Sequence, residues 1–426
     1  MGVFILIGSF LLLLIFRVPI ALSLILSSLL TGVYLDIDLA ALIQRMVGGL
    51  NSFSLLAIPF FVLAGEIMNE GGISRRLINL SNVIIGKVRG GLAMVNVLAS
   101  AFFGGISGSA IADTSSVGSV MIPMMKKQGY DSNYSVAVTV SSSAQGVLIP
   151  PSHNMIIYST AAGGVSVGAL FMGGLVPGLL LGLFLMVLTY VLAVKRNYPK
   201  GEYVKKEDIP RIVWEGLLGL LTAVIILGGI LSGFFTVTES AAIGTLYAFI
   251  ITFFVYRDIT ISSMGIILQR TFKTLSMVLF LIGASSAFGW LLARLRVPAM
   301  VSDALISISP NDAITILLIV IILLLLGMIM DMAPLILIAT PILLPVATSV
   351  GVDPVHFGVM LILCLGIGLI SPPVGTVLFV GSAIGRISIE KTTKGLLPFY
   401  AVMITMLLLV AFIPGFVMFL PELLGL

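Results

Sequence analysis

The sequence predicts an all-α polytopic membrane protein with about eleven spans, allowing ~20 residues per span, plus two broken, hairpin-like segments. Of its 426 residues, 59% are hydrophobic and only 9% are charged, against roughly 25% charged residues in soluble domains. So few charges could not cover the surface of a soluble globule of this size, so we expect the chain to lie in a lipid bilayer. The net charge of +4 comes from loops and includes no basic run with interleaved aromatics, so nothing indicates nucleic-acid binding.

The first half of the chain begins with two apolar segments and ends on a full-length span. Residues 2–16 have no basic n-region, so they are interpreted as a first membrane segment rather than a cleaved signal, and residues 18–35 form the second segment. Residues 52–72 are apolar, whereas residues 73–89 are amphipathic, which is typical of a helix at the membrane interface. Residues 167–194 are long enough to span the bilayer.

A hydrophilic linker, residues 195–211, divides the chain into a first half (1–194) and a second half (212–426). It carries six basic residues against three acidic ones, so the positive-inside rule predicts that it is cytoplasmic. The apolar segments of the second half are residues 212–235, 236–256, 274–292 after an amphipathic lead-in at 259–273, 313–330, 354–370 and 396–420.

Polar, Gly- and Pro-rich stretches interrupt the apolar sequence twice in each half. In the first half they are FFGGISGSAIADTSSVGS (102–119) and SSSAQGVLIPPSHN (141–154), and in the second DMAPLILIATPILLP (331–345) and SPPVGTVLF (371–379). An unpaired backbone group in hydrocarbon costs several kcal/mol, so a helix broken at membrane depth must line a cavity or lie buried in protein. The breaks therefore predict a place where backbone carbonyls and hydroxyls converge on something small.

A shift of 222 residues superimposes the broken regions of the two halves. Between residues 123 and 164 it gives eight identities over 42 positions, and these fall on residue types that fix backbone geometry. The first-half positions are Pro123, Gly129, Asp131, Gly146, Pro150, Pro151, Ala161 and Gly163. Corresponding interrupted segments in two halves indicate the binding site of a secondary transporter. If an odd number of crossings separates the halves they are inverted, and the predicted fold takes them as two inverted repeats.

The breaks concentrate the oxygen atoms that a small hard cation such as Na⁺ requires, because unwound carbonyls and hydroxyls supply them without a buried charge. In the first half the candidate Na⁺ ligands are Gly105, Ser107, Gly108, Ser109, Ser142, Ser143, Gln145 and Pro150. In the second half they are Asp331, Ala333, Thr340, Gly366, Gly368, Ser371 and Thr376. For any single hydroxyl the alternative is a hydrogen bond to the carbonyl four residues earlier. The prediction of two or more Na⁺ sites therefore depends on the paired clusters.

Two acidic residues, Asp113 and Asp331, fall inside the broken regions. Intramembrane acids are functional candidates by default, but each could instead cap a broken helix. Glu66 and Glu239 lie nearer the ends of their segments, where a structural role is favoured.

No arginine lies inside either broken region, so an anionic substrate would have to be bound by helix N-termini and neutral donors. The candidate substrate contacts are Ser152, His153 and Asn154, directly after the double proline, together with Thr376 in the second half. For His153 the alternative is a structural hydrogen bond within the fold.

Five motifs occur in order along the chain. They are AIPFFVLAGEIMNEGGIS (57–74), FFGGISGSAIADTSSVGSVMIPMM (102–125), IPPSHNMIIY (149–158), FTVTESAAIG (235–244) and ISPPVGTVLFV (370–380). Together they resemble the large membrane subunit of tripartite ATP-independent periplasmic (TRAP) transporters, and the resemblance covers essentially the whole chain.

The resemblance implies Na⁺-driven uptake of an organic acid (sialic acid, a C4-dicarboxylate or another sugar acid) across the bacterial inner membrane. It implies two partners, a small four-helix membrane subunit and a periplasmic substrate-binding protein. Since Met1 starts directly on the large subunit, the small subunit is expected as a separate chain.

The resemblance also implies an elevator, in which a scaffold domain holds still while a transport domain of two re-entrant hairpins and two unwound helices moves. On this sequence the hairpins would be 91–125 and 313–345, with tips at 104–113 and 328–335. The unwound helices would be 134–160 and 354–385, with their breaks at 145–154 and 366–376.

Three other functions compete with this prediction. Gly105-Ile106-Ser107-Gly108 has the form of an intramembrane serine protease motif with His153 as its base, but the repeat partner at 327–330 has no serine. A passive channel would not need duplicated, carbonyl-rich sites. A standalone Na⁺-coupled anion carrier would share the mechanism and work without the binding protein.

Overall fold

The computed structural model describes residues 1–201, 204–308 and 311–426, and in these ranges the regular structure is helical apart from one isolated β-bridge between Arg89 and Lys200. The all-α prediction is therefore confirmed. The α-helices of the described residues are α1 Gly2–Ile15, α2 Ile20–Tyr34, α3 Leu39–Leu50, α4 Ala57–Glu70, α5 Ile73–Ile85, α6 Gly91–Ser107, α7 Ala110–Lys127, α8 Ser132–Gly146, α9 His153–Ala161, α10 Val167–Lys195, α11 Ile209–Leu231, α12 Val237–Ile250, α13 Ile261–Arg294, α14 Val297–Ile308, α15 Asp312–Gly327, α16 Met332–Ser349, α17 Pro354–Leu369, α18 Thr376–Gly385, α19 Ile389–Phe412 and α20 Gly415–Leu424.

Six helices of the described chain are long and apolar enough to cross a membrane. They are α10, α11, α12 with its π-helical continuation Ile251–Val255, α13, α16 and α19. Eight shorter apolar helices of 10–17 residues accompany them. Some of these shorter helices follow each other across a break, as α17 and α18 do, so the number of crossings stays a prediction.

Several helices begin at a polar residue whose side chain accepts a hydrogen bond from an otherwise unpaired N–H of the first turn. Asp38 Oδ1 accepts from the N–H of Ala40 at 2.9 Å at the start of α3. Thr236 caps α12 in a reciprocal box with Glu239, whose carboxylate accepts from the N–H of Thr236 at 2.8 Å. Glu239 therefore has the structural role that its place in the sequence favoured.

Three elements differ from the sequence prediction. The short helices α3 and α14 were not expected. Asp36 and Asp38 follow an apolar segment and so resemble its end, but Asp38 caps the next helix, α3. The predicted lead-in at 259–273 and the span after it form one helix, α13, of 34 residues. No proline falls within α13, so nothing in the backbone interrupts it.

The helix boundaries follow the 222-residue shift. Moved by that distance, α7 falls on 332–349, the bounds of α16, and α8 falls on 354–368, within one residue of α17. The α9 helix falls on 375–383, against 376–385 for α18. The two double prolines that the shift superimposes, Pro150–Pro151 and Pro372–Pro373, both contain a cis peptide bond. The repeated sequence thus folds into the same succession of helices and breaks in both halves.

Both ends of the α6–α7 pair lie beside the central linker. The N–H of Gly90, just before α6, donates to the carbonyl of Pro199 at 3.0 Å. Asp131, just after α7, forms an ion pair with Arg196 at 3.3 Å and accepts a 2.6 Å hydrogen bond from the Tyr198 hydroxyl. Burial raises the pKa of Tyr198, so its hydroxyl stays protonated and donates at neutral pH. Both ends of the α6–α7 pair therefore lie on the linker side, and a re-entrant path in the membrane stays a prediction.

The packing of α8 and α17 favours an inverted arrangement of the halves. The α8 helix begins beside the linker, one residue after Asp131. Its repeat partner α17 begins beyond the first-half break, where the Tyr158 hydroxyl of α9 donates to the carbonyl of Pro354 at 2.5 Å. The two helices therefore start at opposite sides of the fold. The boundaries of scaffold and transport domains stay a prediction.

Candidate functional site

The tip of the α6–α7 pair is a two-residue turn between two helix ends. Gly108 ends α6 with φ +61°, a left-handed conformation that favours glycine. Ser109 then caps α7, its hydroxyl accepting a 3.3 Å hydrogen bond from the N–H of Ala112. The hydroxyl of Ser107 accepts from the N–H of Ser109 at 3.4 Å. The tip is thus much tighter than the predicted range 104–113.

The tip packs against the break between α8 and α9. Asn154 donates through Nδ2 to the carbonyl of Gly108 at 3.1 Å. A methyl group on Gly108 would lie 3.0 Å from the backbone N of His153 and 3.2 Å from Ser152 Cα, and one on Gly105 would lie 3.0 Å from the carbonyl oxygen of Pro150. The predicted first-half ligands at the tip and the predicted substrate contacts are therefore brought together.

The second half repeats this contact between α15–α16 and α17–α18. The N–H of Val374 donates to the carbonyl of Met328 at 3.1 Å. Asp331 starts α16 and accepts from the N–H of Met332 at 2.9 Å. Thr376, the repeat partner of Asn154, begins α18, and its buried hydroxyl has no hydrogen-bond partner within the described chain.

Paired glycines set the distance between the hairpins and the broken helices. A methyl group on Gly104 of α6 would lie 2.3 Å from Gly146 Cα of α8, and one on Gly368 of α17 would lie 2.4 Å from the Gly327 carbonyl carbon of α15. Only glycine permits this backbone approach in each half. The crossings stand directly before the breaks, so they fix where the broken ends lie.

The two half-sites also contact each other. A methyl group on Gly366 of α17 would lie 3.3 Å from the Ala144 carbonyl oxygen of α8. Near this crossing, α6, α8, α15 and α17 end and α7, α9, α16 and α18 begin. Helix C-termini present unpaired carbonyls that suit a cation, while N-termini present N–H groups that suit an anion. The crossing therefore brings groups suited to a cation close to groups suited to an anion.

Not every predicted ligand lies at the tips. Ser142 and Ser143 donate to the carbonyls of Val138 and Val140 at 2.6 and 2.9 Å, the local hydrogen bonding named as the alternative. Ser371 likewise donates to the Ile367 carbonyl at 2.7 Å. Each of these hydroxyl oxygens still has lone pairs to offer.

Two further predicted ligands point elsewhere. The amide of Gln145 lies against Gly182 of α10, where a methyl group on the glycine would clash with it. Thr340 is nine residues after Asp331 in α16, about 13 Å along the helix axis, and its buried hydroxyl has no partner in the described residues. Ala333 lies near the start of α16, whereas Gly366 and Gly368 lie in the last turn of α17, within the helix and not in the break predicted at 366–376.

A buried polar cluster between α6, α7 and α8 was missing from the predicted ligand set. It contains Asn96 and Ser100 of α6, Asp113 of α7 and Thr139 of α8, all fully buried. Asn96 Nδ2 donates to Thr139 at 2.6 Å, but both carboxylate oxygens of Asp113 and the Ser100 hydroxyl facing them lack a hydrogen bond within the described chain. The sequence signal that could have indicated this cluster is the pair Asn96 and Ser100, two polar residues one helical turn apart in an apolar helix.

Known proteins match this chain over most of its length. The sequence model of the family described as "Tripartite ATP-independent periplasmic transporter, DctM component" matches residues 7–416. The chain is 41% identical over 380 residues to the sialic acid TRAP transporter large permease protein SiaM of Vibrio cholerae, covering 89% of each chain. It is 38% identical over 400 residues to the 2,3-diketo-L-gulonate TRAP transporter large permease protein YiaN of Escherichia coli, covering 94% of each. Its fold resembles the crystal structure of the YdaH transporter of Alcanivorax borkumensis, with a TM-score of 0.64, 15% identity and 89% of each chain covered.

Proposed function

Because the chain belongs to the family of DctM components of tripartite ATP-independent periplasmic transporters, we propose that it carries an organic acid across the membrane by Na⁺-coupled secondary transport. Like its relatives, the chain is an integral inner-membrane permease subunit and not an enzyme. The Gly-x-Ser-Gly sequence at its hairpin tip therefore does not indicate a protease.

The proposed substrate is a sugar acid such as sialic acid or diketogulonate, or a C4-dicarboxylate. The relatives named above carry carboxylic acids that also bear hydroxyl groups. The site offers helix N-termini for the carboxylate and neutral donors and acceptors for the hydroxyls. Ser152, His153, Asn154 and Thr376 are the proposed contacts. The buried hydroxyls of Ser152 and Thr376 have no hydrogen-bond partner among the described residues, which supports this assignment.

The observation that carries the proposal is the meeting of two broken helix pairs at one place. Each half-site places the carbonyl ends of two helices beside a hairpin tip, where oxygen atoms of the backbone and of polar side chains can bind a Na⁺ ion. Ser107, Gly108 and Ser109 would serve the first Na⁺ and Asp331 and Ala333 the second. The fully buried Asp113, whose carboxylate has no partner in the described residues, would supply a negative charge to the first.

An elevator movement is proposed from the contacts that join the hairpins and broken helices into one body. Lys126 of α7 donates to the Gly385 carbonyl of α18 at 3.0 Å, and Gly366 packs on Ala144. A separate set of contacts joins the remaining helices, for example Thr245 of α12 with the Phe60 carbonyl of α4 at 2.8 Å. The proposed partners are the small four-helix membrane subunit and a periplasmic binding protein that delivers the substrate.

We expect uptake into liposomes that hold this chain with its small subunit to require both an inward Na⁺ gradient and the binding protein. The measurement is accumulation of radiolabelled sialic acid, diketogulonate and succinate with each component omitted in turn. Uptake without the binding protein would instead favour a standalone carrier. Uptake that ignores the Na⁺ gradient would refute the coupling.

Removing the polar side chains of the two tips should weaken Na⁺ dependence more than folding. In the triple variant Asp331→Asn, Ser107→Ala, Ser109→Ala, we expect the Na⁺ concentration for half-maximal uptake to rise at least about tenfold, since each lost charged or polar ligand contributes about 1–3 kcal/mol. The matched control is Ser276→Ala, which removes an exposed hydroxyl bonded to the Phe272 carbonyl in α13. Normal Na⁺ dependence in a well-folded triple variant would show that these three residues do not bind Na⁺.

A further inference from the structure

A polar cavity of about 440 Å³ lies between α4, α5 and α7, on the linker side of the first hairpin tip. Its walls include Asn69, Glu70, Ser74, Arg75, Ser115 and Ser119. Ligand sites for small molecules commonly occupy 300–1,000 Å³, so the cavity can hold a small organic acid. Polar walls set it apart from the apolar surface that faces lipid.

The cavity contains one cation whose charge is not balanced locally. Glu70 is paired with Arg270 at 3.0 Å, and Asp258 is paired with Arg76 at 2.5 Å. Arg75 is exposed, and its guanidinium has no ion pair or hydrogen bond within the described chain. It stands in the first turn of α5, where the partial positive charge of the helix N-terminus adds to its own. An anion entering the cavity would meet these positive charges, while the two carboxylates that line the cavity, Glu70 and Asp258, are already held in ion pairs.

The cavity lies farther along α7 than the hairpin tip, toward the linker. Ser115 and Ser119 are exposed and one turn apart on that helix, and Ser115 is six residues from the cap Ser109, about 9 Å along the axis. The α4 helix, which lines the cavity with Asn69 and Glu70, also packs against the tip, because a methyl group on its Gly65 would lie 3.7 Å from Ser107 Cα. A substrate leaving the tip toward the linker side would therefore pass hydroxyl groups and then Arg75.

We infer that this cavity is a carboxylate-binding vestibule on the cytoplasmic exit path, in which Arg75 binds the substrate's carboxylate and Ser115 and Ser119 its hydroxyls. A guanidinium binds a carboxylate through two parallel hydrogen bonds. The vestibule would hold a released substrate in a second site and so complete its transfer from the tip. The inference rests on the proposed function, because it presumes an organic acid leaving the tip.

The test uses single cysteines at Ser115 and Ser119 as reporters in the complete transporter, in inside-out membrane vesicles. The natural chain has one cysteine, Cys364, which is fully buried, so background labelling is low. The rates of reaction with an anionic sulfonatoethyl and a cationic trimethylammonioethyl methanethiosulfonate are compared. We expect the anionic-to-cationic rate ratio to fall about tenfold when Arg75→Gln is added, because the nearby charge acts oppositely on the two reagents. Arg75→Lys should keep the ratio. The matched control Lys127→Gln removes an exposed cation two turns beyond Ser119 and should also leave the ratio unchanged.

The second arm measures protection from labelling by millimolar sialic acid, diketogulonate or succinate, with mannose as the neutral control. Protection by one of these acids that disappears in Arg75→Gln supports the vestibule. An unchanged rate ratio in Arg75→Gln, absent protection by all three acids, or protection by inorganic phosphate alone overturns it. The wild-type uptake assay is independent of this readout, so a transporter that carries an organic acid but fails here loses only the vestibule.

Discussion

A single methyl group on Gly104 is expected to abolish most of the transport activity. In Gly104→Ala the new Cβ would lie 2.3 Å from Gly146 Cα and 2.9 Å from the Gly146 carbonyl group. These are backbone atoms, so the α6 and α8 helices must move apart to relieve the overlap. Overpacking of this kind costs about 1–3 kcal/mol, and the displaced helix ends carry the tip and the break. We expect uptake per folded transporter to fall more than about tenfold, with a lower unfolding temperature.

The same substitution elsewhere provides the control. A methyl group on Gly8 of α1 or Gly228 of α11 would meet nothing within 4 Å, and alanine in a helix interior is favoured over glycine by about 0.5–1 kcal/mol. Gly8→Ala and Gly228→Ala should therefore leave uptake unchanged and not lower stability. Gly368→Ala, 2.4 Å from the Gly327 carbonyl carbon, should reproduce the loss in the second half. Near-normal uptake by Gly104→Ala and Gly368→Ala would show that the crossings do not position the site.

The sequence predicted where the helices break because glycine, proline and capping residues act locally. Gly108 and Ser109 form the first tip, and the double prolines stand inside both breaks. The match of α7 with α16 under the 222-residue shift has the same origin, since repeated local signals give repeated helix boundaries.

Side-chain direction could not be predicted in the same way, because it depends on which helices pack together. Gln145 adjoins the break in sequence, but its side chain faces Gly182 of α10. The α9 helix separates these two residues along the chain. Thr340 belongs to a predicted segment but lies two and a half turns from Asp331. The position of Ser100 opposite Asp113 likewise arises only when α7 folds back on α6. Residues read as one cluster along the chain are thus divided between the tips and the helix interfaces behind them.

The isosteric change Asp113→Asn is expected to remove Na⁺ coupling while keeping the fold. An isolated carboxylate in a low-dielectric interior is costly unless a cation or a proton neutralises it. Asp113 is fully buried, forms no ion pair within the described residues, and has no hydrogen bond to either oxygen there. Its position four residues into α7, with its N–H bonded to the Ser109 carbonyl at 2.9 Å, brings this charge within one turn of the first tip. A Na⁺ ion bound there would be the counter-charge, and asparagine would not attract it.

The measurement that tests this is the unfolding temperature of the purified complex with and without Na⁺, read beside uptake. A ligand at a hundred times its dissociation constant stabilises the folded state by about 2.7 kcal/mol, so Na⁺ should raise the unfolding temperature of the wild type. In Asp113→Asn this rise should be lost, the Na⁺-free unfolding temperature should equal or exceed that of the wild type, and uptake should fall about a hundredfold. Asp312→Asn, which neutralises an exposed carboxylate in the first turn of α15, should keep both properties. If Asp113→Asn instead unfolds at a lower temperature and still responds to Na⁺, the carboxylate stabilises the hairpin through contacts with its neighbours, and the charge for coupling must come from Asp331.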